Sequence, residues 1–412
     1  MISKNTLFTI IFLFMLFPGQ ILSCELIKFT DELATLCLLL LVGLDVVYDG
    51  WSSVKRLLPL WIILGIGVLY ALYSILFFRF NTPKYVIIDL VSQVKPFVPF
   101  AIIYPLGLRL RGWGKQVGRW LCWANVITLL GFFIAGRGEL HLAFGHVVYY
   151  GAILYISAFT YLFCSLDDEG RISVTDFASV IFMLSLGLLC TRSKYYGEFL
   201  IAVTLLLVYR PGIFRHISLK MVFGGLVLFA VVIVAAWGKI HYYFIEGATE
   251  MLGSDSIEEM SEAFARPLLY YAGGQLLLDF FPFGPGLASF ASNASAVSYS
   301  TLYYDYGIDK VWGLSPSYNA FICDAYYPTL CQFGIAGVAL FIYYWRWLMG
   351  TANDHVTRLC LRYRYPFVIA ISVLVFVLIE SVGGTLFTQG VGLQAMMLFG
   401  IINVVSNESY TE

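Results

Sequence analysis

Charge is what this sequence has least of. Asp, Glu, Lys and Arg make up 12% of its 412 residues, against 60% hydrophobic residues and a mean hydropathy of +0.81. A soluble domain carries roughly 25% charge. Half that share cannot cover a water-soluble surface, which implies an integral membrane protein. The 25 cations and 26 anions nearly cancel and form no basic tract, so nothing points to nucleic acid as a partner. The eight cysteines (Cys24, Cys37, Cys122, Cys164, Cys190, Cys323, Cys331 and Cys360) stand apart from one another, with no CxxC pair and no Cys/His cluster. They read as small apolar residues, not as a disulfide framework or a metal site. Nucleotide loops, HExxH and GxSxG are also missing, and no metal or cofactor is expected.

What the chain does have is long apolar runs. A membrane span takes roughly 20 apolar residues. About twelve candidates follow: 5–23, 31–49, 58–78, 85–106, 119–136, 147–165, 173–190, 195–209, 218–237, 326–346, 365–384 and 389–406; the eighth is short and the first marginal, so the range is eleven to thirteen. All are expected to be helices, because lipid offers the backbone no hydrogen-bond partner. The opening MISKNTLFTIIFLFMLFPGQILSC also fits a signal peptide, or a poor lipoprotein signal ending at Cys24. A retained first span is preferred, because another apolar run follows at once.

Lys/Arg bias sets the orientation. With the N-terminus in the cytoplasm, the inner segments hold fifteen cations and the outer ones nine, and Lys95 falls inside a span. The outer segments include the one long loop, 238–325. The expected organisation is therefore spans one to nine in 1–237, an extracytoplasmic cap in 238–325, and the last three spans in 326–412. Within the cap, Ser256 and Glu259 form a capping-box pattern that opens a helix. Pro267 kinks or divides that helix, and PFGPGLASF then forces a turn.

The cap carries ten carboxylates, three cations, nine tyrosines and Trp312. Acids and flat aromatic faces suit a neutral polyhydroxylated ligand; a solvated loop with tyrosines at the membrane interface is the plainer alternative. Tyr270, Tyr303, Tyr318 and Asn319 are the glycan-binding candidates. Cations on the cation-poor outer side also need a reason. Arg192 and Lys194 lie between spans seven and eight, Arg137 after span five, and Arg266 in the cap. Arginine grips phosphate oxygens with a planar fork, and lysine adds a point charge. Together they suit a pyrophosphate whose lipid tail stays in the bilayer. Ion pairing is the alternative, with Glu139 next to Arg137 and Glu198 four residues beyond Lys194. Asp324, in NAFICDAYYPTL, sits where the cap meets span ten. It reads as a partly desolvated general base or as a helix N-cap. Asp89 and Lys95, both inside span four, mark either a substrate path or a structural pair between helices.

RSKYYG in an outer turn, then ARPLLYY, PFGPGLASF, DAYYP and QFGIAG, resembles the Wzy-like O-antigen polymerase and ligase superfamily, especially its exopolysaccharide polymerases. The similarity covers about residues 85–345. It implies a GT-C-like, all-α polytopic glycosyltransferase of the bacterial cytoplasmic membrane. Such an enzyme joins undecaprenyl-pyrophosphate-linked oligosaccharides on the outer leaflet without metal or nucleotide, alongside a flippase and a chain-length regulator. By position, Arg192 and Arg266 correspond to the arginines that hold the pyrophosphate. Ligase members place a histidine before an asparagine. Here Tyr318 precedes Asn319, which favours a polymerase and leaves Asp324 as the base. Ligase-type transfer, and a transporter or flippase of lipid-linked glycans, are the alternatives.

Overall fold

The computed structural model describes residues 3–21, 29–136, 147–167, 169–209, 237–238, 241, 265–359 and 364–408. Among them the chain is helical, and the only extended pairing is an isolated bridge between Ser315 and Tyr318. α1 (Lys4–Phe14) continues into a π-turn, Met15–Gly19, which holds Pro18. It is followed by α2 (Thr30–Asp49), α3 (Trp51–Arg56) and α4 (Leu58–Leu76). α5 (Pro83–Val94) tightens at Lys95–Phe97, where Pro96 denies the regular hydrogen bond, and resumes as α6 (Val98–Leu106). Then come α7 (Gly112–Ala135), α8 (Val147–Ser165), α9 (Val174–Leu186, with a 3-10 turn to Cys190) and α10 (Ser193–Val208). The described cap holds α11 (Ala265–Asp279), α12 (Asn293–Val297) and α13 (Leu302–Asp305). A 3-10 helix, Tyr327–Phe333, leads into α14 (Gly334–Leu359), α15 (Arg364–Glu380) and α16 (Gly390–Glu408).

Every expected span coincides with a helix except 218–237, of which only residue 237 is described; the Ser256–Glu259 capping box lies outside the described residues. Among the described residues, five helices are long and apolar enough to cross a membrane: Leu58–Leu76, Pro83–Leu106, Gly112–Ala135, Val147–Ser165 and Tyr327–Thr351. This is the pattern of a helical membrane protein. Burial sorts the helices by depth. The apolar window of α8 is 89% buried, whereas those of α4 and α7 are 28% buried. α8 is apolar all round and stands at the centre, packed by α7, α9, α15 and α16. The exposed faces of α4 and α7 carry Leu69, Leu76, Trp120 and Ile134. In water such faces are liabilities; in lipid they are solvated.

Tyr195, from RSKYYG, fixes the start of α10 in this bundle. Its ring is buried against Gly151 of α8 and Gly187, and its hydroxyl donates to the Leu184 carbonyl at 2.8 Å. A Cβ at Gly187 would fall 2.0 Å from that hydroxyl. The glycine is there because the tyrosine fills its side-chain volume.

The cap is anchored to the bundle through its glycine-proline turn. Gly284 (φ 78°) and Gly286 (φ 93°) take left-handed conformations, and a Cβ at Gly284 would meet the backbone of Cys331 and Gly334 at 2.4 Å. The Leu287 amide donates to Ser74 Oγ (2.7 Å), and Asn81 Nδ2 donates to the Ala288 and Ser298 carbonyls (3.0 and 2.6 Å). Fully buried Asp89 accepts from the Ala288 amide at 2.7 Å and from Gln93 at 3.2 Å. Lys95 turns the other way, to Asp31 (2.5 Å) and Glu32 (2.7 Å) of α2. Of the two readings of Asp89 and Lys95, the structural one describes these contacts, but the two residues serve different interfaces. Asp89 latches the cap, and Lys95 ties α5 to α2.

Candidate functional site

The end of α15 and the turn after it, Glu380–Gly384, gather the site. Lys194, in the first turn of α10, extends to Glu380 Oε2 (2.5 Å) and to the Gly383 carbonyl (2.8 Å). Tyr270, on α11 of the cap, donates its hydroxyl to the Val382 carbonyl at 2.7 Å. The Tyr326 amide donates to the Ser381 carbonyl at 3.1 Å. Segments distant in the chain thus converge on five residues, each held by backbone or charge.

Arg266 opens α11, and Pro267 lies in that first turn, where its missing amide costs nothing. Arg266 Nε donates to Asp324 Oδ2 at 2.5 Å, and its Nη2 pairs with the same oxygen. Both contacts fall on Oδ2, which leaves Oδ1 to face another partner. The Arg266 and Asp324 side chains retain 30% and 18% exposure, enough for solvent or substrate to reach them. Asp324 does not cap the next helix: the 3-10 turn from Tyr327 begins without a side-chain cap. Its own amide donates to the Phe321 carbonyl at 3.1 Å. Neighbouring Cys323 is not a nucleophile. Burial, reinforced by the charges of Asp89 and Asp324, pushes its thiol up to about 12.

Arg192 stands one residue before α10, after Thr191 in a left-handed conformation (φ 53°), and is half-buried. Arg192 lies two residues before Lys194, whose ammonium reaches Glu380. Lys194 and Glu198 do not pair along α10. The lysine goes to Glu380, and Glu198 lies fully buried, with neither oxygen receiving a hydrogen bond among the described residues. Arg137 lies outside the described residues.

The tyrosines divide. Tyr270 is 38% exposed, and burial of its hydroxyl, opposed by the nearby Arg266 charge, holds the phenol up at about 12, so it stays a hydrogen-bond donor. Tyr318 is exposed and tilts against exposed Trp312 with ring centroids 4.5 Å apart, a flat aromatic surface three residues from Phe321, whose carbonyl holds Asp324. Tyr303 is placed differently from the expectation for a glycan contact. It is fully buried in the cap core, where its hydroxyl accepts from the Ala291 amide (2.8 Å) and bonds Ser295 Oγ (2.8 Å). No sugar reaches it there. Asn319 is also committed to the fold, donating to the Ala296 carbonyl at 2.8 Å.

Two elements of the site were not legible as such. Glu380, in VLVFVLIESVGG, is an acid at the end of an apolar run. The rule that singles out Asp89 and Lys95 applies equally to it. Trp312 was visible only as one aromatic among many. The other missed feature is a groove of about 400 Å³ between α4, α5 and α14. Its mouth includes the exposed residues Leu58, Ile62 and Tyr343, and its back wall is buried Tyr326, two residues past Asp324. Almost all of its lining is apolar or aromatic; Gln93 Oε1 and the Tyr344 hydroxyl meet no partner there among the described residues. No group of three or more potential metal ligands stands together among the described residues.

The chain matches no protein-family model, and no curated protein matches it.

Proposed function

We propose that this protein is a GT-C-like membrane glycosyltransferase of the polysaccharide-polymerase type, with about twelve spans. In this reading it joins undecaprenyl-pyrophosphate-linked repeat units on the outer face of the bacterial cytoplasmic membrane. One observation carries the reading. Asp324 and Arg266 are in contact though 58 residues apart, and their neighbours Tyr326 and Tyr270 touch the Glu380–Gly384 segment that Lys194 reaches from elsewhere in the chain.

The chemistry follows from that geometry. Asp324 Oδ1 takes the proton of the acceptor hydroxyl as its oxygen attacks the anomeric carbon. The bond from that carbon to the diphosphate oxygen breaks, and the prenyl diphosphate departs with the electron pair. Arg192, Lys194 and Arg266 stabilise the charge growing on it, the larger electrostatic contribution. Attack opposite the leaving group inverts the anomeric centre. The Trp312–Tyr318 surface stacks a sugar ring, and the groove beside Tyr326 holds prenyl units at the outer end of the lipid. The transporter reading leaned on Asp89 and Lys95 as a path through the membrane. Their fixed structural partners take away that support. Ligase-type transfer to a lipid acceptor uses the same groups and differs in the product.

Purified protein incubated with a lipid-linked repeat unit should yield a ladder of polymer on a gel. Arg266→Ala and Asp324→Asn should accumulate in the membrane and give no ladder. Full-length polymer from either variant removes that residue from the mechanism. A single addition to a lipid acceptor, with no ladder, identifies a ligase.

A further inference from the structure

We propose that the end of α11 and the loop after α4 form a contact for anionic phospholipid. Leu278, Phe281 and Phe283 of the cap, with Phe77, enter the acyl layer of the membrane. Arg79 and Lys84 hold the head-group phosphates beside them.

Three observations support this contact. The first is a ring cluster that joins cap and bundle. Phe78 and Phe80, in the loop between α4 and α5, stack at 5.9 Å, and both meet the ring of Phe280 edge-on (5.4 and 5.6 Å). Tyr73 of α4 touches the rings of Phe77 (5.7 Å) and Phe283 (6.3 Å), and its hydroxyl donates to the Gly284 carbonyl at 3.1 Å. The second is what the cluster leaves outside. Phe77, Leu278, Phe281 and Phe283 are each more than half exposed. An apolar patch of that kind marks a surface built for a partner or a membrane. Here it continues the exposed face of α4, which carries Leu69, Leu72 and Leu76, and α4 is long and apolar enough to cross a membrane. The medium that covers α4 therefore reaches the cap.

The third observation is charge. Arg79 lies between the two stacked phenylalanines and is exposed; Lys84 is exposed too, with its ammonium 5.4 Å from the Tyr85 ring. Neither joins an ion pair among the described residues, whereas Arg56 and Arg171 pair with Asp49 and Glu169 at 2.5 and 2.6 Å. The acid in the same stretch, Asp279, accepts instead from the Tyr306 hydroxyl at 2.6 Å. Lys84 also stands in the first turn of α5, where the helix dipole disfavours a cation, so helix stability does not account for it.

Apolar rings at the acyl boundary, with Lys and Arg reaching back to the phosphates, make an interfacial anchor. A water-soluble phosphate satisfies the cations and leaves the patch bare. A zwitterionic lipid covers the patch but offers a phosphate whose charge is already balanced. An anionic phospholipid satisfies both, and it seats the cap at the membrane surface.

The test is native mass spectrometry of the full-length protein in neutral detergent, with phosphatidylglycerol or phosphatidylcholine of the same acyl chains added. Wild type should retain phosphatidylglycerol in preference. Arg79→Gln with Lys84→Gln should reduce that preference by roughly fivefold per cation lost. Arg171→Gln, which removes an exposed cation that already has its acid, should keep it. Leu278→Ser with Phe283→Ser should lower retention of both lipids. These side chains are exposed, and a melting curve for each variant should match wild type. An unchanged preference in the Arg79/Lys84 variant overturns the head-group contact. Undiminished retention of both lipids in the Leu278/Phe283 variant overturns the apolar one. A wild-type dimer that the Leu278/Phe283 variant dissociates overturns the proposal as a whole, because the patch is then covered by a second copy of the chain.

Discussion

Both arginine contacts to Asp324 fall on one oxygen, and that asymmetry predicts how its variants behave. Asparagine preserves the shape but cannot accept the acceptor's proton. Asp324→Asn should therefore lower turnover by about 10²–10⁴-fold, the usual worth of a positioned general base. The thermal midpoint should change little, since the side chain is partly exposed; a ladder assay and a melting curve check both. Tyr303 predicts the opposite pattern. Tyr303→Phe leaves the Ala291 amide without its acceptor inside the cap, at a cost of about 1–3 kcal/mol. Its melting temperature should fall while KM for the lipid-linked acceptor holds; Tyr318→Ala should raise that KM with stability unchanged. These two tyrosines also mark where the sequence was silent. Asp324 and Arg266 were legible because position decides their chemistry: an acid at the cap boundary and a cation on the cation-poor side. A tyrosine is equally at home in a core and on a surface, and composition alone cannot separate the two.

Elements were legible where one physical rule controls them. Apolar runs of span length must be helical in lipid, and those runs that lie within the described residues are helical. Pairings between elements were not legible, because they depend on which turns the bundle brings together. Lys194 shows this. Sequence spacing offered Glu198 on the same helix, but the packing of α10 against α15 delivered Glu380. Asp89 and Lys95 show it too, each answering to a different neighbour. Their variants should report separately. Lys95→Met leaves Asp31 and Glu32 crowded without their cation, and breaking such a buried pair costs about 3–5 kcal/mol. The whole bundle should melt earlier. Asp89→Ala removes the acceptor for the Ala288 amide and loosens the cap turn from α5. Limited proteolysis should then cut within 284–300 first, at a temperature where the membrane helices remain folded. Simultaneous loss of both parts in Asp89→Ala would show that the cap does not depend on this latch.

At the scale of the molecule, the site is a meeting of two solvents. The charged groups lie where the turns beside α10 and α15 meet the cap, and the groove along α4 and α14 opens among apolar side chains, with Tyr326 bordering both. A lipid-linked pyrophosphate has the same division, a charged head and a hydrocarbon tail. The two halves of the site should therefore be separable by mutation. Ile66 lines the groove, and tryptophan in its place occupies volume that a prenyl unit needs. Excluding two buried CH₂ groups, at ~0.8 kcal/mol each, raises KM for a long-chain donor roughly tenfold. Binding of geranyl pyrophosphate, which is held mainly by its head, should change far less, and so should turnover at saturating donor. Lys194→Ala should weaken both ligands together. If Ile66→Trp leaves KM for the long-chain donor where it was while the protein melts normally, the tail runs elsewhere. If it weakens the short and long ligands equally, the groove serves the head-group site by shape and not by holding the lipid.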